Sequence, residues 1–227
     1  MIEIVPAILP ENIGELRGKA TLVRNLVKTI QIDFCDGVFV NHKTWPYNGK
    51  DALAYQKILG EDEGLPFADE IDYEFDLMVK NASQKFSDFV KLGPARVVFH
   101  IDAEDSLLEF FENLEPYYKE NIQFGIAITT KTDLEILDQY IPHIKFIQCM
   151  GIENVGFQSQ PFDPRSLDTV RNLHEKFPSL TISVDGGVNL ETGTQLAENG
   201  ATRLIVGSAI FSKIDIAGTI LEFTHIA

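Results

Sequence analysis

Three aspartates, Asp33, Asp76 and Asp185, lie in or directly after short apolar runs that are predicted to be β-strands. Carboxyl groups take up and release protons in general acid–base catalysis, so aspartates at strand ends are candidates for that chemistry. Gln31 precedes Asp33 by two residues, which directs both side chains to the same face of one strand. Such a polar pair is unusual in a hydrophobic core and is typical of a functional site.

Asp36 and Asp185 each precede glycine in good turn sequences, where an aspartate usually bonds its own backbone. For Asp36 we favour this structural role. Asp185 directly follows the apolar run at 181–184, which predicts a position at the rim of a sheet. For Asp185 the local sequence alone leaves the structural and the functional interpretation open.

Glycines stand between a predicted strand and a helix start at two places near the end of the chain, Gly186-Gly187 and Gly207-Ser208. Backbone N–H groups at a helix start bind anions, and glycine lets the backbone approach phosphate oxygens closely. In barrel enzymes a phosphate site is commonly formed by the loops after strands seven and eight. The ordered pair of motifs therefore predicts a phosphate site.

The loop at 154–162 follows the sixth predicted strand and contains small polar residues around one aromatic side chain. Beside the glycine motifs, it is a candidate flap over the same phosphate, with Gly156 and Ser159 as contributing residues. An ordinary surface loop is the alternative interpretation.

The elements that must position these residues alternate regularly along the chain. Short runs rich in Val, Ile and Phe, several of them apolar on both faces, predict parallel strands covered on both sides. They are followed by longer amphipathic segments, and the first turn carries no GxGxxG motif of an open dinucleotide-binding sheet. The predicted strands are 3–9, 29–34, 73–79, 96–100, 123–128, 145–149, 181–184 and 203–206. The predicted helices are 11–27, 51–59, 83–92, 104–115, 131–139, 164–176, 190–199 and 216–223. This order predicts an α/β fold, a (β/α)8 TIM barrel, as one domain over residues 1–227.

The composition excludes several classes of partner. Of 227 residues, 34 are acidic and 19 basic, for a formal charge of -15. Nucleic acid and anionic membranes are therefore not expected partners, because both need clustered Lys and Arg. The two cysteines, Cys35 and Cys149, form no CxxC pair, and no run approaches membrane-spanning length. We expect free thiols and a cytoplasmic protein.

The motifs together resemble the ribulose-phosphate 3-epimerase family, in order and spacing, through nearly the whole chain. The stretches that carry the resemblance are 5–9, 31–40, 76–79, 98–100, 156–162, 184–187 and 207–211. The resemblance implies a (β/α)8 barrel that epimerises a ketose phosphate. Two aspartates, at the positions of Asp33 and Asp185, would remove and return the proton beside the keto group, through an enediolate. It also implies a small phosphorylated sugar as substrate and assembly into a homo-oligomer.

The resemblance further implies a divalent metal, held in the family by His, Asp, His and Asp. Here the two histidine positions hold Gln31 and Asp76, so the corresponding set is Gln31, Asp33, Asp76 and Asp185. These ligands offer only oxygen, which favours Mg²⁺ or Mn²⁺ over Zn²⁺.

Two alternatives remain open from the sequence. Loss of both histidines is consistent with a non-catalytic phosphosugar-binding protein. A different phosphosugar barrel enzyme, such as a lyase or synthase, is the other. Related barrels of that kind carry D-x-K-x-x-D on this strand, and Cys35 stands where the lysine would be.

Overall fold

The computed structural model describes residues 2–156 and 160–226, in which eight parallel strands close into a barrel. Each strand pairs with the next one in the chain, and the eighth pairs with the first. The strands are β1 (Glu3–Ile8), β2 (Thr29–Cys35), β3 (Asp72–Met78), β4 (Arg96–His100), β5 (Gln123–Ile128), β6 (Phe146–Met150), β7 (Thr181–Asp185) and β8 (Arg203–Val206). The predicted (β/α)8 TIM barrel is confirmed.

Helices surround this barrel and connect its strands. They are α1 (Ile13–Val23), α2 (Ala52–Leu59), α3 (Phe86–Val90), α4 (Leu107–Asn113), α5 (Pro116–Asn121), α6 (Arg165–Lys176), α7 (Leu190–Glu198), α8 (Ser208–Phe211) and α9 (Ile216–Thr224). Short 3-10 helices occupy Ala82–Lys85, Ile101–Ala103, Leu134–Gln139 and Ile141–His143. Within the described ranges, no helix combines the length and the apolar character that crossing a bilayer requires.

The helix predicted at 131–139 is the main departure from the sequence-based expectation. The chain there forms only the 3-10 helix Leu134–Gln139, whose first turn is capped by Asp133 through the backbone N–H of Glu135. Pro142 follows closely, and it lacks the N–H that an α-helix would need to continue through this segment. The apolar pattern therefore predicts correctly that this segment covers the barrel, but it does not predict the kind of helix that the segment forms.

Strand β2 shows how the barrel turns its polar residues toward a site. Ile30, Ile32 and Phe34 belong to the main hydrophobic core between the strands and the helices. Gln31 and Asp33 alternate with them and are buried on the opposite face, inside the barrel. The two-residue spacing in the sequence thus places both polar groups in the barrel interior.

Ion pairs fill the end of the barrel interior where the strands begin. Glu74 lies 2.8 Å from the Arg203 guanidinium, which stacks 4.2 Å from the centre of the Phe146 ring. Arg96 lies 2.8 Å from Glu3 and 3.8 Å from Glu74. This layer closes the barrel below, so the interior opens toward the ends of the strands.

Two side chains hold the loops near that opening. Asn189 caps α7 and forms a capping box with Thr192. Asp36 accepts hydrogen bonds from the backbone N–H groups of Val38 and Phe39, which is the structural role expected of it.

Candidate active site

One amide group joins the two aspartates that the sequence singled out. The Gln31 Nε2 atom donates to Asp33 Oδ1 at 2.7 Å and to Asp185 Oδ2 at 2.9 Å. Strand β2 contributes Gln31 and Asp33, and β7 contributes Asp185. Only β8 and β1 lie between these two strands once the sheet is closed, so barrel closure brings the residues together. The carboxyl groups of Asp33 and Asp185 therefore face a common space at the mouth of the barrel.

Asp76 is held from the other side by two residues that sequence reasoning left out of the site. His100 Nε2 lies 2.8 Å from Asp76 Oδ1, and Gln148 Nε2 donates to Asp76 Oδ2 at 3.1 Å. An imidazole that carries its proton on Nε2 can donate to a carboxylate oxygen, which suits this contact. Gln148 did carry a signal, because it is a polar residue at an inward position of an otherwise apolar strand.

Burial and neighbouring negative charges raise the pKa of both carboxyl groups joined by Gln31. For Asp33 the pKa lies well above its usual range because of burial and the negative charges of Asp185 and Asp76, opposed in part by the Gln31 hydrogen bond. For Asp185 burial, followed by the charge of Asp76, raises the pKa to about 7. Gln31 and His100 oppose that rise. Both carboxyl groups therefore hold a proton more strongly than an ordinary aspartate, which brings their titration toward the neutral range that acid–base chemistry uses.

The aspartate cluster fits a metal ion only in part. Asp33, Asp76 and Asp185 each offer a carboxylate oxygen, and these atoms lie within 4.8 Å of one another, close enough to hold a divalent cation. Gln31 turns its nitrogen, rather than its oxygen, toward two of these carboxylates. Its Oε1 atom is buried without a hydrogen-bond partner. The amide would have to turn over before it could serve as the fourth oxygen ligand.

A cavity of about 210 Å³ opens above the aspartates and contains most of the predicted site. Asp33 and Asp185 line one part of it, whereas Gln31 and Asp76 are fully buried and do not border it. Its other predicted lining residues are Gly156, Gly186, Gly187, Gly207 and Ser208. Ser159, the remaining predicted phosphate contact, lies outside the described residues.

The glycine pair after β7 lies where side chains do not fit. Gly187 has φ +68°, and a Cβ there would stand 2.8 Å from the Phe162 Cα. Gly186 has φ +96°, and a Cβ would stand 2.7 Å from the Ile152 side chain. The loop after β6 therefore packs directly on the loop after β7, and only glycine permits both the backbone conformation and the close approach.

Solved structures with the same fold include an enzyme named for a phosphorylated sugar. A ligand-bound KGPDC from Streptococcus mutans superposes with a TM-score of 0.70 at 14% identity, covering 98% of this chain and 95% of that one. The 3-hexulose-6-phosphate synthase from Salmonella typhimurium gives 0.67 at 16% identity, covering 99% and 98%. At these identities the likeness supports the barrel fold alone.

Sequence comparison is more specific. The ribulose-phosphate 3-epimerase of Eremothecium gossypii is 28% identical over 215 residues, which are 93% of this chain and 87% of that protein. The ribulose-phosphate 3-epimerase of Chlamydia muridarum is 27% identical over 223 residues, or 94% and 90% of the two chains. The model of the ribulose-phosphate 3 epimerase family matches residues 3–211. This chain belongs to the ribulose-phosphate 3-epimerase family.

Proposed function

We propose that this protein is a ketose-phosphate epimerase that acts on ribulose 5-phosphate or a closely related ketose phosphate. The observation that carries the proposal is the meeting of Asp33 and Asp185 beside the glycine loops, in one cavity large enough for a small sugar phosphate. Family membership supports the same reaction.

In the proposed reaction the two aspartates act on opposite faces of the carbon next to the keto group. One carboxylate removes the proton, which leaves an enediolate, and the other carboxylic acid returns a proton to the opposite face. Both steps require one ionised and one protonated carboxyl group. The raised pKa values of Asp33 and Asp185 favour such a pair, because both groups hold a proton more strongly than an ordinary aspartate.

The phosphate would be bound by backbone N–H groups rather than by basic side chains. Gly186, Gly187, Gly207 and Ser208 line the cavity next to Asp185, and glycine allows phosphate oxygens to approach the backbone. Among the described lining residues there is no Lys, Arg or His, which is consistent with a backbone cradle. Gly156, which lines the same cavity, would approach the phosphate from the loop after β6.

Where a divalent cation is bound, Asp33, Asp76 and Asp185 would hold it, with Gln31 as a further ligand once its amide has turned over. An all-oxygen set of this kind selects Mg²⁺ or Mn²⁺ rather than Zn²⁺. When bound, such an ion would supply positive charge near the reacting oxygens.

A non-catalytic phosphosugar-binding protein is less well supported. Binding a sugar phosphate requires neither an acid nor a base, whereas this cavity has two aspartates with raised pKa values. A lyase or synthase is also less well supported, because Cys35 is a fully buried thiol where the related barrels carry a lysine.

The test is to incubate the purified protein with ribulose 5-phosphate and with a panel of pentulose and hexulose phosphates in D₂O. We expect the C3 epimer as product, with deuterium at C3, for at least one substrate. Binding without any exchange would favour the binding protein, and cleavage or condensation products would favour the lyase or synthase.

A further inference from the structure

We propose that Gln31 is a positioning residue whose amide holds Asp33 and Asp185 together, so that this chain exchanges the substrate proton without a divalent cation between them. The inference rests on the proposed epimerase function and deepens it. It departs from the metal dependence that the family resemblance implies.

The geometry of the amide is the first argument. A primary amide nitrogen carries two N–H donors, and each carboxylate receives one of them, at 2.7 Å for Asp33 and 2.9 Å for Asp185. Both donors are used, and no lone pair on this nitrogen is available to a cation. A cation between these two oxygens would instead meet the hydrogens of the amide.

The third carboxylate is satisfied in the same way. Asp76 has a donor on each oxygen, His100 at 2.8 Å and Gln148 at 3.1 Å. All three residues are buried. Each of the three carboxylates therefore has a hydrogen-bond donor from the protein. Without these donors, the charge of the cluster would depend on a metal ion for compensation.

The orientation of the Gln31 amide separates this arrangement from a metal site. With the nitrogen toward the carboxylates, two donors meet two acceptors, and the Oε1 atom is left buried without a partner. With the amide reversed, Oε1 would face carboxylate oxygens, an arrangement that needs a cation or an added proton between them. The two orientations thus predict opposite metal requirements, and metal analysis distinguishes them.

Gln31 should affect catalysis by fixing the positions of the Asp33 and Asp185 carboxyl groups. Proton transfer at one carbon requires both carboxyl groups at fixed positions on its two faces, and displacement by about 1 Å costs roughly 10²-fold in rate. The Gln31→Ala variant should therefore lower kcat by about 10²-fold. Its KM should change less than about threefold, because Gln31 is not among the described residues that line the cavity.

The experiment uses the full chain, with metal content measured before and after chelator treatment. We expect wild-type protein to lack stoichiometric metal and to keep its rate of C3 exchange after chelation, with no gain from added Mg²⁺, Mn²⁺ or Zn²⁺. The matched variant Gln31→Glu keeps the side-chain shape but replaces both donors with an oxygen. We expect it to bind one equivalent of Mg²⁺ or Mn²⁺ and to lose its exchange activity on chelation.

A second variant keeps the test informative if Gln31→Glu fails to fold. The double variant Gln31→His/Asp76→His supplies the two imidazoles of the family pattern, and we expect it to become metal-loaded and chelator-sensitive. Wild-type protein that copurifies with one equivalent of metal, loses exchange on chelation and regains it with Mg²⁺ or Mn²⁺ would overturn the inference but leave the epimerase standing. Absence of exchange in every form and with every metal would instead defeat the proposed function.

Discussion

His100 and Asp76 form a buried pair inside the barrel, with 2.8 Å between the imidazole Nε2 and the carboxylate Oδ1. Both side chains are almost completely shielded from solvent, at 2% and 0% exposure. The pair stands directly behind the acid–base aspartates and supplies a donor to the carboxylate that replaces a histidine of the family pattern. Its value to the fold can therefore be measured separately from catalysis.

Replacing His100 alone should be more harmful to stability than replacing both members of the pair. His100→Ala leaves a buried carboxylate with one donor fewer, which we expect to lower the free energy of unfolding by about 3 kcal/mol. The double variant His100→Ala/Asp76→Asn removes the charge and should recover about 1 kcal/mol or more. Urea unfolding of the two single variants and the double variant gives the coupling energy. Strictly additive effects would contradict a paired role.

Asp185→Asn should separate catalysis from binding. The amide keeps the shape of the carboxyl group but cannot accept the substrate proton, so we expect turnover to stop. The phosphate loops are unchanged, and the affinity for ribulose 5-phosphate should stay within about threefold of wild type. Calorimetric titration measures the affinity, and loss of binding in parallel with activity would contradict this division of roles.

The rate should depend on pH through the two coupled carboxyl groups. The pKa of Asp185 is raised to about 7, so this group is protonated and unable to act as a base at lower pH. We therefore expect kcat/KM of the chelated enzyme to rise as the pH increases through about 7. It should fall again at higher pH, where the buried Asp33 loses its proton. A profile that is flat down to about pH 5, near the usual carboxyl range, would contradict this assignment.

Asp33 lies buried near the negative charges of Asp185 and Asp76. We therefore expect the Asp33→Asn variant to be more stable than wild type. The pKa of Asp33 is higher in the folded protein than in the unfolded chain. Ionisation of this group therefore opposes folding, and the effect grows as the pH rises from the unfolded-state pKa through the folded-state pKa. Removal of the charge should raise Tm by roughly 2–4 °C per kcal/mol recovered, most strongly at alkaline pH. The gain should shrink as the pH is lowered toward the usual carboxyl range, because protonation of the folded carboxyl group removes the same charge. Thermal scans of chelated protein across this range test the sign.

Gly187 and Gly49 form a matched pair for testing the phosphate cradle. Both have positive φ, +68° and +75°, so alanine is strained at either position. A Cβ at Gly187 also meets the Phe162 backbone beside the cavity, whereas at Gly49 nothing lies within 4 Å. We expect Gly187→Ala to raise KM by about tenfold or more and Gly49→Ala to change it less than about twofold. Equal effects on KM would indicate general destabilisation instead.

The strands and the two candidate catalytic aspartates could be predicted from the sequence, because each depends on the local pattern of apolar and polar residues. Strand β4 begins and ends at the predicted residues, and β2 and β7 each extend one residue further than predicted. Asp33 and Asp185 stand at strand ends, where the closed barrel brings inward-facing groups together. The 3-10 helix Leu134–Gln139 is not predicted, because an apolar pattern alone does not distinguish it from an α-helix.

The side chains that hydrogen-bond to the aspartates could not be predicted from the sequence, because these contacts form only when the barrel closes. Gln148 is marked in the sequence only as a polar residue in an otherwise apolar strand, and nothing in the local pattern connects it or His100 with Asp76. Their shared contact with Asp76 arises only when β3, β4 and β6 surround one interior. The direction of the Gln31 amide depends on Asp33 of its own strand and on Asp185 of β7, a contact across the barrel that the sequence does not reveal. The sequence therefore suggests an oxygen ligand where the structure has a nitrogen donor.

The most direct test of the account follows deuterium exchange at C3 of each epimer separately, in wild type and in the Asp33→Asn and Asp185→Asn variants. If each aspartate serves one face of the substrate carbon, both variants lose interconversion. Each then retains exchange with D₂O from one epimer only, and the retained epimer differs between the two variants. Exchange of the same epimer by both variants, or continued interconversion by either, would contradict a two-aspartate mechanism.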